Sequence, residues 1–324
     1  MNKPVIAAAL AAVLASPAWA SPDWDKIPAK AVNVFYPGVA SMEWVLNGSD
    51  HSGGRAIKKG ETCASCHDTE TADFTKKIVA GQKAEPNPDM AKGRAASIPV
   101  RVQAAVDDGK LYMRFQWKAG SGGRKMDEKN PAKLAVMLDA GKVQYADIGG
   151  CWASCHDDLR SMPDVAVAAK DHPRAKELDF RSDGPTKYLG ESRTAISTSK
   201  PKGGWDKLKS AADYEQMIKD GKFLEMWQWR SGESARSGTV AEARMLKGAK
   251  DKEFAEGKLK DGVWTVVFKR PLAGGPGMHE LVPGKTYNIG FAIHDDYSNW
   301  RYHQVSLGYT LGIGTKADIT AAKN

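Results

Sequence analysis

The chain has 324 residues, 42% of them hydrophobic and 27% charged, and 47 Lys and Arg against 39 Asp and Glu give a formal charge of +8. That length supports one large domain or two modest ones. The basic excess is interleaved with acid, as in KPKGGWDKLK at 200–209, so there is no concentrated stripe for nucleic acid; no later stretch reaches the ~18 apolar residues that stable membrane insertion needs.

Residues 1–20 read as an export signal. Lys3 supplies the charged start, Val5 to Leu14 is apolar, and Ala18-Trp19-Ala20 is a small-x-small cleavage site before Ser21. The mature protein is therefore expected in the periplasm. Residues 21–97 are rich in loops and short helices, with Pro86 and Pro88 and no evident apolar core of their own. Within them lies CASCH, residues 63–67. Cys63 and Cys66 followed at once by His67 is the attachment pattern of a c-type haem: two thiols fix the porphyrin and the adjacent histidine is carried under the ring to the iron. A bound haem would supply the core that this segment lacks.

From residue 98 the period changes to two. IPVRVQAAV (98–106) and LYMRFQW (111–117) alternate on either side of the turn DDGK. Further strands are expected at KLAVML (133–138), FLEMWQW (223–229), TVAEARML (239–246), EFAEGKLK (253–260), VWTVVFKR (263–270), TYNIGFAIH (286–294) and RYHQVSLGYTLGI (301–313). Asp261-Gly262 marks a tight hairpin between two of them. The chain is thus expected to be mainly β, an antiparallel sandwich over 98–316 with a short polar tail at 317–324. A long polar connection, about 157–215, interrupts it and holds helical stretches such as AADYEQMIKDG at 211–221.

A second motif, GGCWASCHDD at 149–158, follows the strand KLAVML. Cys151 and Cys155 are three residues apart rather than two, and His156 follows directly. Helical positions three and four apart share a face, so this spacing can still present both sulfurs to one porphyrin edge. Export alone would suggest disulfides, but a disulfide does not require a histidine after each pair. A structural zinc site would need the pairs at defined spacing, and 84 residues separate Cys66 from Cys151. Two covalent haems c are the expectation.

Each iron needs a further axial ligand if it is to be closed to substrate. His51, twelve residues before Cys63 and flanked by glycine in GSDHSGG, is the candidate for the first haem, with Met42 and Met90 as fallbacks. For the second, His303 is placed on the inner face of the final strand, with His294 and Met162 as fallbacks. His172 and His279 sit in loop-like sequence and are expected to be exposed. Met137, Met226 and the tryptophans are expected in the core.

The stretches GGCWASCHDDLRSMP, WTVVFKRPL and GFAIHDDYSNWRYHQVSLGYTLG resemble the haem-binding domain of the ethylbenzene dehydrogenase gamma subunit and of other DMSO-reductase-type dehydrogenases. The likeness is closer to dihaem c-type cytochromes that place a cytochrome c segment before that domain, and it covers roughly residues 35–315. It implies a β-sandwich holding a haem near one end, and electron transfer rather than substrate chemistry. The gamma subunits hold a non-covalent b-type haem between methionine and lysine. By that likeness His303 stands where the late-strand lysine would be and His156 on the side of the methionine. The covalent motif departs from the pattern.

The sequence thus reads as an electron carrier between redox partner proteins, such as a membrane quinol-linked donor and a molybdenum-type oxidoreductase. The alternative is a haem enzyme or sensor with one open iron. No Ser-His-Asp order, phosphate loop or carboxylate pair competes.

Overall fold

The computed structural model describes residues 22–38, 45–46, 51–82, 88–120, 128–153, 194, 209–241, 245–295 and 302–323. The strands are β1 (Lys30–Phe35), β2 (Ser97–Asp107), β3 (Lys110–Lys118), β4 (Lys133–Asp139), β5 (Leu224–Arg230), β6 (Glu233–Val240), β7 (Met245–Asp251), β8 (Ala255–Lys260), β9 (Val263–Pro271), β10 (Thr286–His294), β11 (Gln304–Val305), β12 (Tyr309–Ile313) and β13 (Ile319–Lys323). The helices are short: α1 (Gly54–Ile57), α2 (Cys63–His67), α3 (Thr71–Val79), α4 (Pro88–Ala91), α5 (Ala146–Gly149), which runs into a 3₁₀ turn (Gly150–Ala153), and α6 (Ala211–Lys219).

All strands join one sheet in the order β7-β6-β5-β4-β10-β11-β1-β2-β3-β9-β8. β12 and β13 bridge β10 to β2, and β13 runs parallel to both β12 and β2. The two wings fold over each other. Trp227 and Trp229 of β5 meet Phe268 and Trp264 of β9, with ring centroids 5.7 and 5.4 Å apart. Phe115 packs edge-on against Phe268 and Phe291. Burying side chains of this size contributes about 1.5–3 kcal/mol each, and this inner layer is the larger apolar cluster of the molecule.

The tight turns follow their sequences. Asp108-Gly109 and Asp261-Gly262 both take positive φ at both positions, 44° and 67° in the first and 51° and 74° in the second. That conformation matches the twist of a two-residue hairpin. Ser210 caps α6 by a reciprocal capping box with Asp213.

Five expectations need revision. TVAEARML is split: β6 ends at Val240 and β7 begins at Met245. The final run is split too, into β11 and β12. KAVNVF, in sequence that reads as loop, forms β1 between β11 and β2, and the polar tail contains β13. His279 is buried, not exposed: its ring stacks on Phe223 at 4.1 Å and its Nε2 lies 3.1 Å from the Phe223 carbonyl. Burial holds its pKa below the usual value.

His279 belongs to a buried polar knot. Arg270 and Glu225 pair at 3.1 Å with both side chains fully buried. Glu225 also accepts from Trp227 Nε1 at 2.6 Å and from the His279 N–H at 2.7 Å. Arg270 donates to the His279 carbonyl at 2.6 Å. Burial pushes the Glu225 carboxyl up, while Arg270 and the two N–H donors pull it back.

Candidate haem sites

The outer face of the sheet carries a second apolar layer. Phe35 of β1, Val305 of β11, Ala292 of β10, Met137 of β4, and Leu224 and Met226 of β5 form it, and both Cys63 and Cys151 belong to the same cluster. Strand alternation separates the faces: Val34, Ile293 and Val136 point into the inner core while their neighbours point out.

The first motif is built by α2. Thr62 caps it, its Oγ1 accepting from the Ser65 N–H at 3.2 Å, and the Ser65 hydroxyl donates back to the Thr62 carbonyl at 2.7 Å. The helix buries Cys63, leaves Cys66 exposed and half-buries His67. Burial raises the Cys63 thiol to about 11. His67 packs edge-on against Phe74 at 5.6 Å, and Phe74 against Phe35 at 5.5 Å. His67 Nδ1 lies 3.6 Å from Glu70 Oε2.

His51 stands opposite His67. Their ring centroids are 6.0 Å apart with planes 42° apart. Two imidazoles on opposite sides of one metal, with bonds of about 2 Å and ring centres about 1 Å further, stand about 6 Å apart. The pair therefore fits a haem iron. A Cβ on Gly53 would lie 2.9 Å from His51 Cε1, so only glycine lets the ring fold back over this turn. Burial, and then the neighbouring His67, hold the His51 pKa low. That favours the neutral imidazole, the form that binds metal.

The second motif begins in the 3₁₀ turn. The Trp152 N–H donates to the Ser306 carbonyl at 3.2 Å, and the Ser306 hydroxyl accepts from the Phe291 N–H at 2.8 Å, so one residue ties the turn to β10. Cys151 sits directly over Gly290: a Cβ there would lie 2.6 Å from the Cys151 nitrogen. Gly150, at φ 55°, lies equally close to Leu307 and Gly308. Cys151 is enclosed, and burial raises its thiol to about 12. Cys155, His156, Met42 and Met162 lie outside the described residues, as do the export signal and His172.

His303 is not on the inner face of a strand. It precedes the two-residue β11, and the register Ala292↔Val305 and Ile293↔Gln304 brings it, one step on, beside His294. The two rings stack at 4.4 Å, 22° from parallel. Their parity with Val305 and Ala292 puts both on the outer, cysteine-bearing face. At that spacing they cannot bind one iron from opposite sides.

Arg94 clamps the chain beside His303. It donates to the Tyr302 carbonyl at 2.8 Å and lies over the rings of Tyr36 and Tyr302, at 5.2 and 5.5 Å. Gln304 donates to the Ala95 carbonyl at 2.7 Å. No sequence signal points to Arg94.

The family model described as ethylbenzene dehydrogenase matches residues 21–259. The chain belongs to that family. It is also 43% identical over 332 residues to "Cytochrome c-552" of Stutzerimonas stutzeri, with both chains fully covered. To "Cytochrome c-551" of Rhodocyclus tenuis it is 33% identical over 307 residues, covering 94% of this chain and all of the relative. This family member is mainly β, and among its described residues no helix is long and apolar enough to cross a membrane.

Proposed function

We propose that this family member is a periplasmic dihaem c-type cytochrome that carries electrons between partner proteins. The observation that carries the reading is the His51–His67 pair, 6.0 Å apart beside a C-x-x-C-H helix. The names of its full-length relatives support it.

Cys63 and Cys66 would hold the first haem, with His67 and His51 as the residues that would ligate its iron. Cys151 and Cys155 would hold the second, with His156 and His303 as the residues that would ligate its iron, His294 being the fallback. The haem iron supplies one-electron redox chemistry. The chain's part is to exclude water from the buried edge at Cys63 and Cys151, to keep His51 neutral, and to fix the imidazoles. A nitrogen pair is a stronger donor than a thioether, so the chain favours lower potentials than a His/Met site would. The net charge of +8 suits docking on acidic partners, which should slow as salt shortens the Debye length to about 8 Å. The partners proposed are a membrane quinol-linked donor and a molybdenum-type oxidoreductase.

Intact mass tests the stoichiometry: the chain should carry two haems that survive acid–organic extraction, and one haem would overturn the dihaem reading. EPR should show two low-spin bis-histidine irons. His303→Ala should turn one iron high-spin and open to carbon monoxide. A second reading, an enzyme or sensor with one open iron, is favoured by the commitment of His303 to stacking on His294. Carbon monoxide binding by the unaltered protein would select it.

A further inference from the structure

The two attachment sites are far apart in sequence but not in the fold. Cys63 and Cys151 lie in a single apolar cluster on the outer face of the sheet. α2, which carries the first motif, lies against α5, and α5 runs without a break into the turn that holds Cys151. The bed beneath is continuous: Cys151 sits over Gly290 of β10, and α3 lies over β1, two places along in the sheet. Neighbouring strands are about 4.8 Å apart, so those supports are separated by about 10 Å, less than the width of a haem with its substituents.

We infer that the chain builds one joint site for two haems, with α5 as the thin partition between them. This rests on the dihaem reading above. The partition is made for close approach. Ala146 and Gly149 are small and buried, and Gly149 has no room for a Cβ, which would lie 2.6 Å from the Ala153 Cβ. Ile148 is the one large aliphatic side chain on α5, and it is buried in the shared cluster. The immediate redox partner of each haem is then the other haem. What one iron loses the other gains, with no bond broken and no proton moved, and an electron accepted at one edge of the protein can leave at the other.

Two transition dipoles that close couple, which circular dichroism in the Soret region reads directly. The unaltered protein, shown by mass to hold two haems, should give a bisignate couplet. C63A/C66A, which removes the first haem, should collapse it to a single weak band. Ile148→Ala, a cavity in the partition, should alter the EPR signals of both irons. A two-haem protein whose dichroism equals the sum of its single-haem variants overturns the joint site while leaving the dihaem reading intact. So does an Ile148→Ala effect confined to the second haem. A mass showing one haem overturns both. Should C63A/C66A fail to accumulate, Ile148→Ala and the native couplet still decide.

Discussion

The two faces of the sheet are held together differently. The inner face is filled by the protein itself: Trp117, Trp227, Phe115, Phe268 and Phe291 interdigitate, and the Arg270–Glu225 pair is satisfied on every side. The outer face is apolar too, but among the described residues what covers it is thin. α1, α2 and α5 have four or five residues each, well short of the ~12–15 at which a helix is even marginal alone. Glycines at 150, 290 and 308 remove side chains where the inner layer would place them. The difference teaches that one wall is a finished core and the other, on the proposed reading, is half of one, completed by haem.

The sharpest way to break this comparison is to withhold haem. A chain with Cys63, Cys66, Cys151 and Cys155 all changed to alanine should keep its strand signal in far-ultraviolet dichroism. Hydrogen exchange should then show strong protection at 98–118 and almost none at 51–79 and 146–153. Equal protection on both faces would sink the idea that haem completes the outer wall.

The next test strikes the inner face. Arg270→Leu leaves the Glu225 carboxylate buried without its counter-charge and should cost about 3–5 kcal/mol in urea unfolding. The double change Glu225→Met with Arg270→Leu should recover most of that. The haem spectra of the folded protein should not move in either variant. A cost below about 1 kcal/mol for the single change would show the knot to be incidental.

A smaller effect is expected at the outer seam. Gly150→Ala forces a Cβ against Leu307 and Gly308 at positive φ, a strain of about 1–3 kcal/mol. Its readout is the haem content: the second haem should be under-incorporated and the first retained. The smallest effect belongs to the far hairpin. Gly262→Ala, at φ 74° and with open space around it, should lower stability by about 1 kcal/mol and leave both haem spectra unchanged.

Local pattern carried much of the architecture. TYNIGFAIH alternates, VWTVVFKR is rich in β-branched and aromatic residues, and both are bounded by turn residues, so β9 and β10 could be read to within a residue. β1 could not, because KAVNVF is six residues long between Pro28 and Pro37, and its strand character comes from partners at 97–102 and 305. β13 failed for the same reason: ITAAK is unremarkable until β12 and β2 pair with it. At the site, Cys63, Cys66 and His67 announce themselves by adjacency, and Cys151 by kinship with them. The stacking of His294 on His303 depends on the register of β10 against β11, which no local residue encodes. His279 misled because its flanking glycines and prolines read as loop, whereas its burial comes from Glu225, fifty-four residues away.

The placing of β1 between β2 and β11 has a temporal side. Its second neighbour, at 304–305, is made some 270 residues later, and the Ser306 bond that seats Trp152 arrives with it. A chain emerging from its N-terminus therefore cannot seat the turn that carries Cys151 until its last strands are made. On the proposed reading, covalent attachment precedes that seating, while the thiols can still be reached. The last strands to be made act as the latch, and a chain that latched early would be sealed without its cargo.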